Sequence, residues 1–140
     1  PANVYSFMDV GVGTGNPHAS SLTLNSALVG VPDTVSSSST AISIETMVTF
    51  INIDSGTIAL TIADGYDGQI KHLVCTAKAA GATGADITKL TSNLNVTTSI
   101  AFEAVGQSAT LIFDSTSVST TDSNANGNWN VLGSHESTIT

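Results

Sequence analysis

The histidines and the cysteine are the side chains of this sequence best suited to chemistry, and their spacing assembles no reaction centre. His18, His72 and His135 are far apart, and no pair has the H-x-x-x-H or H-x-H spacing of a metal site. Cys75 lies in the apolar run Leu73-Val74-Cys75, with no adjacent basic residue to lower the pKa of its thiol. The pattern therefore favours scattered or packed histidines and a small, buried, unreactive cysteine.

Glycine-rich and acidic segments supply weaker candidates. The run Gly11-Val12-Gly13-Thr14-Gly15-Asn16 lacks both the G-x-G-x-x-G pattern and the lysine of a phosphate-binding loop, so a flexible arm is predicted there. Asp64 and Asp67 stand among glycines and could wrap a calcium ion. The D-x-[DN]-x-[DN]-G pattern is not met, however, and an Asp-Gly turn explains the same residues.

No catalytic constellation is predicted. No serine stands in a G-x-S-x-G elbow. The three glutamates are too far apart in the sequence for an acid–base pair to be named from their spacing. They are Glu45, Glu103 and Glu136. We therefore expect no enzyme, no metal and no cofactor, with a hydrolase or glycan-binding enzyme of unknown type as one alternative.

Composition excludes several classes of partner. The chain has 140 residues, three lysines, no arginine and a formal net charge of −8. This balance removes the basic patch of a nucleic-acid binder and any attraction to anionic lipid. A hydrophobic share of 41% and a mean hydropathy of +0.25 are too apolar for a disordered chain. No apolar run approaches the length of a membrane helix, and one cysteine cannot form an intramolecular disulfide.

Alternation of apolar and polar residues recurs along the chain and predicts strands. The predicted strands are 21–29, 41–53, 57–63, 69–77, 95–104, 108–113 and 128–132. A bulge near Phe50 and Ile51 is expected to switch the inward face of the second strand. Strong helix formers are scarce, and the best candidate for a helix is 79–89.

Turn residues fall between these runs. Asp54-Ser55-Gly56 and Gly106-Gln107 have the length of hairpin loops, and Asn126-Gly127 is typical of a type I′ turn. The pattern predicts a single all-β domain over 19–140, an antiparallel β-sandwich or jelly-roll-like barrel. An irregular N-terminal arm is predicted over 1–18.

Four short motifs follow one another over residues 57–134. They are A-D-G-x-x-G-Q-x-K at 63–71, I-x-F at 100–102, G-x-S-x-x-L at 106–111 and W-x-V at 129–131. This order resembles small β-rich modules of tailed-bacteriophage virion proteins, found in head-decoration proteins and tail-fibre tips. The resemblance implies a structural role in the virion, often as a trimer, and it names no catalytic residue.

The function that this resemblance implies is capsid decoration. Such a cement protein lies on the outer head surface, where it bridges and stabilises subunits of the major capsid protein. An acidic protein is not attracted to packaged DNA, which favours the exterior. The start at Pro1, without a basic or apolar leader, favours synthesis in the host cytoplasm. The alternative is a tail-fibre or receptor-binding module that recognises a glycan of the host surface.

The arm supplies the first group of candidate contact residues. Val4, Tyr5, Phe7 and Met8 cannot bury one another, so we expect them to bind the capsid or a neighbouring subunit. The alternative is that 4–8 form the first strand of the domain itself.

A homotrimer is expected because a closed assembly hides strand faces and edges that one small domain would expose. The candidates for its interface, which the core of the monomer could equally claim, are Phe102, Leu111, Phe113, Trp129 and Val131.

Overall fold

The computed structural model describes residues 30–117 and 127–140, which form ten strands and one short helix. In chain order the elements are β1 (Asp33–Val35), β2 (Ala41–Ile42), β3 (Val48–Ile53), β4 (Thr57–Ile62), β5 (Ile70–Lys78), β6 (Gly84–Thr88), α1 (Lys89–Ser92), β7 (Ser99–Phe102), β8 (Ser108–Asp114), β9 (Asn128–His135) and β10 (Thr138–Ile139). The all-β class is confirmed. The predicted arm over 1–18 and the predicted strand 21–29 lie outside the described residues.

The strands form two five-stranded sheets that share one hydrophobic core. The first sheet has the order β1-β3-β5-β8-β9, and the second has the order β10-β7-β6-β4-β2. From β1 to β6 the chain alternates between the sheets, so successive strands within each sheet run parallel. Antiparallel strands then complete both sheets. The prediction of antiparallel sheets was therefore wrong for four of the eight pairings.

Loops that were predicted to close hairpins instead carry the chain between the sheets. Asp54-Ser55-Gly56 joins β3 in the first sheet to β4 in the second, and Gly106-Gln107 joins β7 in the second to β8 in the first. A short polar loop suits either connection, so loop length alone did not decide between them. The carboxylate of Asp54 accepts hydrogen bonds from the backbone N–H and the hydroxyl of Ser37, both at 3.0 Å. This contact ties the β3–β4 loop to the β1–β2 loop.

The alternation of apolar and polar residues in two of the predicted strands, 57–63 and 108–113, corresponds to one buried side of β4 and one of β8. In β4 the buried residues are Ile58, Leu60 and Ile62. In β8 the residues Ala109, Leu111 and Phe113 are buried, and the residues between them are half-buried. These side chains belong to the core between the two sheets.

The predicted strand 41–53 is two strands in different sheets. β2 ends at Ile42 and β3 begins at Val48, so the inward face changes between them rather than at Phe50. The register between β3 and β5 does shift after Ile51, because β5 has an unmatched residue, Thr76. That bulge leaves the inward face of β3 unchanged.

The helix predicted over 79–89 was also wrong. Gly84–Thr88 is β6, which lies between β4 and β7, and the helix is only the four residues Lys89–Ser92. Strand pairing on both sides of β6 outweighs the weak helical propensity of a segment with two glycines, Gly81 and Gly84.

Candidate functional site

Two side chains of the A-D-G-x-x-G-Q-x-K motif hold the segment where the chain crosses from β2 to β3. The Nζ atom of Lys71 donates to the carbonyl oxygens of Ser43, at 2.7 Å, and Thr46, at 2.6 Å. It also donates to the Thr46 hydroxyl at 2.8 Å. The side-chain amide of Gln69 donates to the carbonyl of Ile44. These bonds satisfy carbonyl groups of a segment that belongs to neither sheet.

Lys71 makes these bonds from inside the protein. It is fully buried on the inward face of β5, on the same side of the strand as Leu73 and Cys75. Burial lowers the pKa of its ammonium group to about 8, against a smaller opposing effect of the Asp33 carboxylate. The three acceptors match the three N–H donors of an ammonium ion, which makes a charge tolerable there.

A second crossing, from β4 to β5, is held by distant parts of the sequence. Trp129 Nε1 donates to the carbonyl of Ala63 at 2.9 Å, across 66 residues of sequence. The side-chain amide of Asn93 donates to the Asp64 carboxylate. Gly65 leaves room for the indole, because a Cβ at this position would lie 2.6 Å from a Trp129 ring carbon. The A-D-G and W-x-V motifs therefore form one contact.

The two aspartates considered for calcium serve as acceptors within the protein. Asp64 accepts from Asn93, and Asp67 accepts from the backbone N–H of Ser115 at 3.0 Å and its hydroxyl at 3.1 Å. Within residues 30–117 and 127–140, no group of three or more histidine, cysteine, aspartate or glutamate side chains could hold a metal ion. Both carboxylates therefore accept hydrogen bonds from distant parts of the chain.

The remaining chemically suited residues are separate from one another. His72 Nδ1 shares a hydrogen bond of 3.0 Å with the Thr110 hydroxyl of the neighbouring strand, and His135 is exposed at the end of β9. His18 lies outside the described residues. Cys75 is buried as predicted, and burial raises the pKa of its thiol.

The outer side of the first sheet carries large apolar side chains. Val48 and Phe50 on β3, Ile70 and Val74 on β5, and Ile112 on β8 point away from the core, since the residues between them are buried. Phe50 pairs with Val74, and Ile70 pairs with Ile112. The polar pair of His72 and Thr110 lies between them on the same side of the sheet. We refer to the five apolar residues as the outer apolar face.

A pocket extends the outer apolar face toward β1, at the edge of the sheet. Among the described residues it is lined by Gly30, Val31, Met47 and Val48. Val31 is 85% exposed and Met47 is 53% exposed, so two more large apolar side chains adjoin the face.

The outer side of the second sheet has a different composition. Its residues are small or polar, and they are Thr57, Ala59, Thr61, Asp86, Thr88, Ser99 and Ala101. Asp86 is half-buried among them, and burial together with the negative charge of Glu103 raises the pKa of its carboxyl. This pair of carboxylates was not apparent from sequence spacing.

The candidates for a trimer interface lie mainly in the core of the monomer. Phe102, Leu111, Phe113 and Trp129 are at most 2% exposed, and Val131 is half-buried against them. The rings of Phe113 and Trp129 meet edge to face at 5.3 Å. Of the two alternatives that the sequence left open, the structure therefore supports the monomer core. The other candidate contact residues, Val4, Tyr5, Phe7 and Met8, lie outside the described residues.

Comparison of the sequence with protein-family models, with curated proteins and with solved structures finds no match. Within the described part of the chain, no helix is long and apolar enough to cross a membrane.

Proposed function

We propose that this chain is a structural protein of a bacteriophage virion, which decorates the outer head surface and bridges neighbouring subunits of the major capsid protein. The observation that carries the proposal is that the phage-like motifs contact one another. Trp129 reaches Ala63, and Gly68 N–H donates to the carbonyl of Phe113 at 2.9 Å. The Phe113 N–H donates in turn to the carbonyl of Gln69 at 2.9 Å. Lys71 also pairs with Leu111, and Leu111 pairs with Val131, so three of the four motifs meet in the first sheet, which supports the resemblance.

The role of the motif residues favours a scaffold over a catalyst. Gln69, Lys71 and Trp129 hydrogen-bond to backbone carbonyls at the two crossings, so their polar groups are engaged in holding the fold. Function then depends on the surface. The chain has a net charge of −8, and one of its three lysines, Lys71, is buried, so the surface is acidic. An acidic surface suits the side of the capsid shell that faces away from DNA.

The N-terminal arm is the part of the chain that we propose to bind the capsid or a neighbouring subunit of a homotrimer. Burying one large apolar side chain contributes about 1.5–3 kcal/mol, and ordering each backbone residue costs about 1–2 kcal/mol. The arm therefore binds only if Tyr5 and Phe7 enter pockets or if its backbone adds a strand to a sheet edge. Each such contact adds area that resists separation of the capsid lattice under the pressure of packaged DNA.

Binding to heads that lack the protein tests this role. The double variant Tyr5→Ala/Phe7→Ala should keep the fold, measured by circular dichroism, and lose head binding, measured by co-sedimentation. Tyr66→Ala is the matched control, because Tyr66 is 65% exposed in the loop before β5 and should leave binding unchanged. Wild-type protein that does not sediment with such heads, or a double variant that binds as well as wild type, would contradict the proposal.

A tail-fibre module is the second candidate, and one observation favours it. The strands β1 to β6 wind between two sheets with parallel neighbours, which is the arrangement that elongated β-solenoids repeat. Gold-labelled antibody on intact virions separates the candidates. Label spread over the whole head supports decoration, whereas label confined to the tail tip supports a receptor-binding fibre.

A further inference from the structure

One edge strand of the first sheet is much longer than the other edge strands. In the described part of the chain, the edge strands β1, β2 and β10 have only two or three residues each. Short edge strands are one of the ways in which proteins avoid pairing with other chains. The fourth edge strand, β9, has eight residues, and it contains none of the lysine or proline residues that commonly block an exposed edge.

Only the first half of β9 is covered along its edge. The Trp129 N–H donates to the carbonyl of Asn93, and the Trp129 carbonyl accepts from the N–H of Asn95, both at 2.8 Å. Beyond this contact the strand becomes exposed, since Leu132 is 58% exposed and residues 133–135 are exposed as well. Among the described strands only β8 pairs with this second half. Its outer edge is therefore open to pairing.

Gly133 lies in the middle of this open edge, and nothing described within the molecule requires a glycine there. A Cβ at this position would meet no described atom within 4 Å. The register between β8 and β9 shifts nearby, but the φ angle of Gly133 is not positive, so the shift does not need a glycine either. Glycine inside a strand often marks a place where another backbone approaches closely.

The same side of the molecule carries little charge. Only Glu136 and Ser137 separate β9 from β10, so the edges of the two sheets lie next to each other there. Residues 128–140 contain a single carboxylate side chain, that of Glu136, and no lysine, although the whole chain has a net charge of −8. Two copies that approach by this side therefore meet less repulsion than they would elsewhere on the surface.

We propose that two copies of this chain associate through the second half of β9, which pairs antiparallel with the same segment of the other copy about a two-fold axis at Gly133. Leu132 then lies opposite Ser134 of the other copy, and Glu136 lies opposite an asparagine, Asn130, so no two carboxylates face each other. A second copy is the partner because it presents the same open, uncharged edge, and one pairing covers both edges.

This pairing joins the first sheets of two copies into one continuous sheet. It depends neither on the virion role nor on the N-terminal arm. It is also compatible with a trimer, whose copies would pair with copies of neighbouring trimers.

Disulfide cross-linking of full-length protein tests the position of the axis. In Gly133→Cys the two introduced thiols lie opposite each other, and directly opposite Cβ atoms in a sheet are about 4.5–5.5 Å apart. Val105→Cys is the matched control, because Val105 is 59% exposed in the loop between β7 and β8, and the native Cys75 is buried in both variants. Under mild oxidation we expect several-fold more covalent dimer from Gly133→Cys. Equal yields from the two variants would contradict the proposal.

Light scattering at micromolar concentration gives a second readout. The mass of the wild-type protein should correspond to an even number of copies, and Leu132→Lys should halve it, because a charge on an edge strand opposes pairing. Val105→Lys adds the same charge at a similarly exposed position and should leave the mass unchanged. Circular dichroism checks that both variants are folded. A wild-type mass of one or three copies, or a mass that Leu132→Lys does not change, would overturn the proposal.

Discussion

The strand β4 of the second sheet separates apolar from polar residues, whereas the strand β5 of the first sheet does not. On β5, Ile70 is 42% exposed on the outer side and the adjacent Lys71 is fully buried on the inner side. No such inversion occurs on β4, where every isoleucine and leucine is inward. The inward position of Lys71 is therefore decided by what it contacts rather than by its polarity.

The contacts of Lys71 explain the difference. The segment between β2 and β3 belongs to neither sheet, and the part-buried bonds from Lys71 provide donors for the carbonyl groups of Ser43 and Thr46. A lysine among the inward side chains provides three N–H donors at one point. The second sheet has no corresponding buried lysine among the described residues.

The largest expected effect tests whether the inner side of the first sheet is the core of the domain. Trp129→Ala removes a fully buried indole, its edge-to-face contact with Phe113 and its bond to Ala63. Such truncations cost about 3–5 kcal/mol, which is a large part of the free energy of unfolding of a domain of this size. Denaturant titration measures this loss. Tyr66→Ala, at an exposed aromatic residue, should change stability by less than about 0.5 kcal/mol.

The next effect concerns the pH dependence that Lys71 confers. Its pKa of about 8 in the folded protein lies below that of an exposed lysine, about 10.4. Between these values the unfolded chain holds a proton that the folded chain has released, so the free energy of unfolding should rise with pH across this interval. The full rise is about 3 kcal/mol, and it should be absent in Lys71→Met.

The control for this effect is Lys78→Met. Lys78 lies on the same strand and donates to the carbonyl of Glu103 in an exposed contact. This variant should retain the rise between pH 8 and pH 10.4. A wild-type profile that is flat over this interval would show that burial does not lower the pKa of Lys71.

The comparison of the sheets also shows what sequence reasoning could reach. The inward residues of β4 and β8 could be predicted from alternation, because every second residue of each strand is apolar and is buried in the core. The parallel winding did not follow, since Asp54-Ser55-Gly56 suits a hairpin as well as a crossing. That choice depends on which sheet the next strand joins, and this is a long-range property.

The contacts of the motif were less accessible than its presence. Alternation placed Lys71 on the same side as Leu73 and Cys75, which was a signal that the lysine is buried. Its three acceptors lie 25 and 28 residues earlier in the sequence, in a segment predicted to be continuous strand. The partnership of Trp129 with Gly65 likewise depends on tertiary packing, and only the small side chain of glycine hints at it.

A smaller effect compares the outer sides of the two sheets. Phe50→Ala, in the outer apolar face, should lower the free energy of unfolding of the full chain by about 2 kcal/mol if that face is covered. Thr57→Ala, on the exposed outer side of β4, should change it by less than about 0.5 kcal/mol. Denaturant midpoints of both variants give the comparison. Equal effects would mean that the two outer sides are equally exposed to water.

The smallest expected effect is a gain of stability on the inner side of the first sheet. Thr49 is fully buried, and its hydroxyl has no hydrogen-bond partner among the described residues. An unpaired buried hydroxyl is unfavourable, and valine has nearly the same shape, so Thr49→Val should raise the free energy of unfolding by about 1 kcal/mol. Thr110→Val is the matched control, because the Thr110 hydroxyl is bonded to His72 and its removal should not stabilise the protein. If both substitutions stabilise equally, the gain comes from the strand propensity of valine rather than from relief of the buried hydroxyl.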